Sequence, residues 1–363
     1  MLIDSIGSQN GAAFSKELFP PAWLKRVIPM TDHIAELVAS TRKAIRSILR
    51  RDGDRLLVLV GPCSIHDPHA ARQYAQQLMD LRNRHRGDLE IVMRVYLEKP
   101  RTTVGWKGLI NDPFLDGTGS IAEGLEIGRG LLHEINQLGL PTATEMLDPL
   151  VARYIDDLLA WVAIGARTTT SPLHRQLASG LSLPVGFKNA IDGNVQLAVD
   201  AIQAASCPHS FISVSDSGRL GVVSTFGNDA GHLVLRGGLK PNYAHESVVS
   251  AGDLLRKAGL STSLVVDASH GNSQKNHKKQ IDVCHDLCRQ LAAGSEHIAG
   301  VMIESNIVAG RQDIEPGKPL VHGQSVTDAC IDLDDTRDIL EALAEAVRCR
   351  RDSKVHPRLA MSC

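Results

Sequence analysis

From Leu56 onward the chain alternates between short apolar runs, each closed by Gly, Pro or a polar residue, and longer stretches with helical spacing. The runs are LLVLV (56–60), LEIVMRVYL (89–97), TATEML (142–147), WVAIGA (161–166), PVGFK (184–188), FISVS (211–215), LVVDAS (264–269) and IAGVMIE (298–304). They are apolar on both faces instead of alternating, as in parallel strands buried between layers. Helical patterns fill most of the gaps. HAARQYAQQLMDLRNRH follows the first run, and Asp67-Pro68 opens it with a cap residue and a proline at the first helical position. Eight βα units predict an α/β fold, a closed (β/α)8 TIM barrel. An open doubly wound sheet would share the rhythm, but no GxGxxG follows the first run to support it.

One stretch breaks the alternation. LGVVSTFGNDAGHLVLRGG (220–238) holds two β-like runs around a Gly-Asn-Asp turn and predicts a hairpin inserted after strand six. Residues 1–50 read as an N-terminal arm, an oligomer-forming or regulatory extension with a turn at Pro20-Pro21 and a helix from about Ala35 to Arg50. The barrel then occupies 51–350, and 351–363 read as a frayed C-terminal tail.

Bulk composition removes several classes. A formal net charge of −2 argues against general nucleic-acid or membrane-surface binding, which needs a basic face. No apolar run approaches the roughly 20 residues that cross a bilayer, and MLIDSIGSQNGAAF lacks the basic start and apolar core of a secretory signal. Seven cysteines without a CxxC pair point to free thiols in a reducing cytoplasm. Cys284 and Cys288, four apart on an expected helix, read as core thiols before half a metal site.

Reactive groups of such a barrel collect where the strands end. Strand one ends in Gly61-Pro62-Cys63-Ser64, and strand two carries Arg94 into Glu98-Lys99-Pro100-Arg101-Thr102-Thr103. Glu145, Arg167 and Lys188 close strands three to five, Arg236 follows the hairpin, and His270 and Glu304 end strands seven and eight, with Asp328 just beyond. Arg94, Lys99, Arg101, Lys107, Arg167, Lys188 and Arg236 would gather cations at one mouth, so the substrates carry at least two anionic groups. Cys63, His270, Glu304 and Asp328 could hold a divalent transition metal with a position open to substrate; singly, Cys63 also reads as packing and Asp328 as a helix cap. His66 and His69 look paired but belong to an expected exposed helix start, and Lys275, His277, Lys278 and Lys279 to a solvated helix face.

Taken together, GPCSIHDP (61–68), MRVYLEKPRTTVGWKGLINDP (93–113), AIGARTT (163–169), ASGLSLPVGFKN (178–189), LRGG (235–238), DASHGNS (267–273), GVMIESN (300–306) and VTDAC (326–330) closely resemble class I (microbial type) 3-deoxy-D-arabino-heptulosonate 7-phosphate (DAHP) synthases. The similarity runs from about residue 35 to 350, and the block from Met93 carries most of its specificity. The resemblance implies a metal-dependent transferase that joins phosphoenolpyruvate to erythrose 4-phosphate in the shikimate route to chorismate. It implies one divalent metal (Mn, Fe, Co, Zn or Cu) on Cys63, His270, Glu304 and Asp328. Arg94, Lys99, Lys107, Glu145, Arg167, Lys188 and Arg236, with the backbone at Gly165-Ala166, would surround phosphoenolpyruvate, and Arg101 and Thr102 would receive the sugar phosphate. Lys99 is the expected donor to the aldehyde oxygen, while Glu145 and a water at the metal remain alternatives for activating the attacking water.

Further implications concern control. Pro149, Leu181, Ser182, Phe211 and Ser213 match the region where family members bind an aromatic amino acid as feedback inhibitor, and Pro149 points to tyrosine. Residues 1–16 lack the acidic-aliphatic segment common there in the family, and Ala190-Ile191, Thr170 and Asp332–Asp334 depart from the usual motifs without removing a catalytic position. Homodimers or homotetramers are expected. Two other readings are a sibling synthase taking a five-carbon sugar phosphate, which the KPRTTVGWKG block opposes, and a non-catalytic regulatory paralogue, which the intact site positions oppose.

Overall fold

A computed structural model describes residues 16–355 apart from Thr102 and Pro316. Two helices, α1 (Pro21–Val27) and α2 (Asp32–Arg50), precede β1 (Leu56–Gly61). The chain then runs α3 (Pro68–His85), β2 (Leu89–Arg94), α4 (Ile121–Gln137), β3 (Thr142–Glu145), α5 (Ala152–Ile155), β4 (Leu159–Ile164), α6 (Pro172–Gly180), β5 (Val185–Lys188) and α7 (Gln196–Ala205). After the pair β6 (Ser210–Val214) and β7 (Leu220–Ser224) come β8 (Gly231–Leu235), α8 (His245–Lys257), β9 (Leu264–Asp267), α9 (Lys279–Ala292) and β10 (Ile298–Glu304). Two short strands, β11 (Val308–Arg311) and β12 (Gln324–Ser325), lead to α10 (Leu333–Val355). Eight of the strands close a parallel barrel in the order β1-β10-β9-β8-β5-β4-β3-β2.

The sixth barrel strand is not the one the apolar pattern suggested. FISVS lies in β6, which pairs antiparallel with β7 from Ser210↔Ser224 to Val214↔Leu220, outside the barrel. The hairpin therefore precedes barrel strand six instead of following it, and that strand is β8, bonded to β5 and β9. Burial separates the two: β8 is buried from His232 to Leu235, whereas β6 is half-exposed along its length. The hairpin turn is at Asp216-Ser217-Gly218, where Gly218 takes φ +78 and Ser215 N donates to Arg219 O at 2.8 Å.

Elsewhere local chemistry follows the expected signals. Asp67 caps α3 by accepting from His69 N (2.8 Å) and Ala70 N (3.2 Å). Thr31 caps α2 through Ile34 N at 3.3 Å, so that helix starts a few residues before Ala35. At the other end α10 continues to Val355, past the expected tail boundary at 351, and Arg351 pairs with Asp54 and Asp88. The remaining tail, like the first fifteen residues, lies outside the described residues.

Apolar side chains form two layers. The outer one lies between strands and helices. The inner one fills the barrel with Leu57, Leu59, Val92, Trp161, Val265 and Met302, and Ile45, Ile48 and Leu49 of α2 belong to it. The end of α2 thus closes the barrel floor, opposite the mouth. Gly186 has no Cβ because the Trp161 ring occupies that space, and Trp161 Nε1 donates to His232 Nε2 at 3.0 Å.

Candidate active site

At the mouth, the end of β1 turns at Gly61, where a Cβ would meet the Arg94 carbonyl oxygen at 2.8 Å. That turn places Cys63 fully inside, and Ser64 Oγ pins it to Thr327 Oγ1 at 2.6 Å, beside Asp328. Gln280 clamps the backbone of Glu304, accepting from its N–H at 2.9 Å and donating to its carbonyl at 3.1 Å. As a result Cys63 Sγ and one carboxylate oxygen each of Glu304 and Asp328 lie within 4.8 Å of one another. His270 stands outside that group of three but next to it, with Nε2 3.7 Å from Glu304 Oε1.

Lys99 Nζ reaches the same cluster, 2.7 Å from Cys63 Sγ and 3.6 Å from Asp328 Oδ2. Burial, followed by the Glu304 charge, pushes the Cys63 thiol up to about 12. Against the opposing effect of burial, Cys63, Glu304 and Asp328 raise Lys99, while Lys99 and His270 hold Asp328 down at about 2. One thiol, one imidazole and two carboxylates suit a divalent transition metal, whose charge would turn the thiol into a thiolate. Half of the Asp328 side chain is exposed, which keeps one side of the cluster open.

Beside it lies the anion-binding half. Arg94 is fully buried, stacked over Tyr96 at 3.9 Å and paired with Glu304 at 3.1 Å, yet its Nε and Nη1 have no partner among the described residues. Lys188 lies 3.2 Å from Glu145 Oε2 and 4.0 Å from Asp267 Oδ2. Although burial alone would raise Glu145, Lys188 and Lys99 hold it below its ordinary value. Gly165 covers that carboxylate, since a Cβ there would collide with Oε1, and Ala166 follows at the rim. Half-buried Arg236 is lowered by burial, with Arg167 adding to the effect against the pull of Asp267; Arg167 itself is exposed.

Not every expected residue joins this buried group. Arg101 and Lys107 are exposed on the loop after β2, where Lys99 N donates to Lys107 O (2.8 Å) and Arg101 Nε to Trp106 O (2.8 Å). Thr102 lies outside the described residues. His66 is buried, contrary to the expectation of an exposed helix start, because it precedes the cap of α3 on the inner side, whereas His69 is exposed. Cys284 is a core thiol and Cys288 is half-buried. Lys275 and Lys278 are exposed but precede α9, which starts at Lys279. Sequence reading missed Asp267, fully buried at the end of β9 with Oδ2 2.9 Å from His270 Nδ1. The carboxylate three residues before a candidate ligand histidine was the available signal.

A second cavity, of about 370 Å³, opens between α5, α6 and the β6–β7 hairpin. Pro149, Leu181, Ser182, Phe211 and Ser213 all line it, with Arg153, Asp156 and Thr225.

A (β/α)8 barrel whose mouth sets a transition-metal donor group against buried cations defines an enzyme for anionic small molecules. The chain belongs to the DAHP synthetase I family, whose sequence model matches residues 35–341. It is 54% identical over 336 residues to the Phe-sensitive phospho-2-dehydro-3-deoxyheptonate aldolase of Escherichia coli K12, covering 93% of this chain and 96% of that one. It is 51% identical over 335 residues to the Trp-sensitive enzyme of E. coli O157:H7 (92% and 96%). Among solved structures, the phospho-2-dehydro-3-deoxyheptonate aldolase of Francisella tularensis SCHU S4 superposes with a TM-score of 0.92 at 50% identity, over 94% of this chain and 99% of that one.

Proposed function

We propose that this chain is a DAHP synthase, condensing phosphoenolpyruvate with erythrose 4-phosphate and water to give DAHP and phosphate, the first step of the shikimate route. The observation that carries the reading is Arg94: a buried cation with two unpartnered donors, next to the Cys63–His270–Glu304–Asp328 group. A buried guanidinium left partly unsatisfied is costly, and an anionic substrate group relieves that cost.

Arg94, Lys188, Arg167, Arg236 and Lys107 bind the phosphate and carboxylate of phosphoenolpyruvate, with the Gly165-Ala166 backbone at its edge. Arg101 and Thr102 take the phosphate of the sugar. This clamping alone brings C3 of phosphoenolpyruvate within reach of the aldehyde carbon. Lys99 donates to the aldehyde oxygen as negative charge grows there. A divalent metal held by Cys63, His270, Glu304 and Asp328 would supply Lewis-acid polarisation of that oxygen. Glu145, kept ionised by Lys188, accepts the proton of the water that adds at C2, and phosphate leaves by C–O cleavage. The expected result is phosphate release that needs erythrose 4-phosphate, is lost with chelator, returns with Mn²⁺ and is absent in Cys63→Ala. Release indifferent to the sugar would refute the assignment.

The 370 Å³ cavity is the feedback site for an aromatic amino acid, tyrosine being favoured by Pro149 at its wall. Its lining supports this: Phe211 offers a ring, and Arg153 and Asp156 offer charges for a zwitterion. Ile212, Leu220 and Val222 of the hairpin are largely exposed apolar side chains, which supports a subunit contact in a homodimer or homotetramer. A monomeric mass in light scattering would overturn that. Among the described residues no helix is long and apolar enough to cross a membrane, which is compatible with a place in the cytoplasm.

A further inference from the structure

We infer that Ser269 is a positioning residue which, backed by Asp267, dictates that His270 carries its proton on Nδ1 and turns the lone pair of Nε2 toward the metal site. The inference rests on the reading of His270 as a ligand and goes beyond it to what orients the ring.

Three groups form a chain at the end of β9. Asp267 Oδ1 accepts from Ser269 Oγ at 2.6 Å and from Ser269 N at 2.9 Å. Ser269 Oγ in turn lies 2.7 Å from His270 Nδ1. Asp267 is fully buried and Ser269 nearly so, so water does not compete for these atoms. Asp267 Oδ2 also lies 2.9 Å from Nδ1 but makes no aligned hydrogen bond, which leaves Ser269 Oγ as the acceptor the ring meets.

A hydroxyl has one proton to give. The Asp267 carboxylate, with the Lys188 ammonium 4.0 Å from its other oxygen, draws that proton because a charged acceptor forms the stronger bond. Ser269 Oγ then faces Nδ1 only with lone pairs, so Nδ1 must be the donor. In a neutral imidazole that leaves Nε2 unprotonated, and Nε2 is the nitrogen 3.7 Å from Glu304. The backbone supports the same orientation. His270 sits at φ +54, a conformation side chains rarely adopt, while Gly271 N donates to Arg236 O at 3.0 Å and Lys275 N to His270 O at 2.9 Å. The Asp267 anion therefore serves two partners at once: the metal-facing histidine through Ser269, and Lys188 of the phosphoenolpyruvate cradle directly.

The test reads the tautomer and the metal separately, on the full chain. In the metal-free protein, ¹⁵N NMR of His270 is expected to show Nδ1–H as the single neutral tautomer, with a mixture in Ser269→Ala. Mn²⁺ titration followed by electron paramagnetic resonance should give a dissociation constant about 10- to 100-fold weaker in Ser269→Ala, with the variant still folded by circular dichroism. Nε2–H in the native chain, or native Mn²⁺ affinity in a folded Ser269→Ala, would overturn the inference. A native chain whose Mn²⁺ binding is untouched by Cys63→Ala would defeat the metal reading instead, and the tautomer spectrum would still decide the role of Ser269.

Discussion

A guanidinium with no exposed surface and two unpartnered donors gives Arg94 a demand that an anionic substrate group would meet. The planar fork over Tyr96 suits paired oxygens, which a lysine ammonium cannot reproduce. Arg94→Lys is therefore expected to lower kcat/KM for phosphoenolpyruvate about 100-fold, mostly through KM, in steady-state kinetics with that substrate varied. An unchanged KM would place the phosphoenolpyruvate anion elsewhere. Residues of this kind were legible because the rule that barrel chemistry sits at strand ends picks out Cys63, Arg94, Lys188 and Glu304 without any contact information. Ser269 was not legible, and Asp267 only through its place three residues before His270. Their joint action depends on hydrogen bonds between atoms 2.6 and 2.7 Å apart, which no spacing rule encodes.

Among the elements, the hairpin shows where hydrophobic pattern stops being sufficient. FISVS and GHLVL have similar β character, and only neighbours decide which enters the barrel. The Asp-Ser-Gly turn between β6 and β7 was the local clue to their pairing, passed over in favour of Gly-Asn-Asp, which leads into barrel strand β8. The true position has a functional consequence, because β6 carries Phe211 and Ser213 into the wall of the second cavity. Filling that space should blunt control. Ser213→Phe is expected to raise at least tenfold the tyrosine concentration that halves the chain's own uninhibited rate, with phenylalanine and tryptophan run alongside. Tyrosine leaving the native rate unchanged at saturation would remove the tyrosine assignment. Ser213→Phe retaining native sensitivity would remove the cavity as its site.

The whole molecule depends on a barrel packed from floor to mouth, with the end of α2 inserted below and one histidine among its inner side chains. His232 lies in the interior, its Nδ1 donating to Ala230 O at 3.0 Å and its Nε2 accepting from Trp161, and the second of these bonds requires the neutral ring. Burial pushes its pKa down to about 4 from the ordinary 6.5. Between those values the unfolded chain binds a proton that the folded one refuses, so stability falls as pH drops from about 6.5 to about 4 and this contribution is flat outside that window. The full loss is about 3 kcal/mol, because each pH unit between the two values costs on the order of 1.4 kcal/mol. Gln offers the Trp161 N–H an acceptor without a titrating ring, so urea unfolding of native and His232→Gln chains with chelator present should give stabilities that converge by that amount between pH 7 and pH 4. A constant difference across the range would show that His232 charges in place, with the barrel interior admitting water or a counter-ion to meet it.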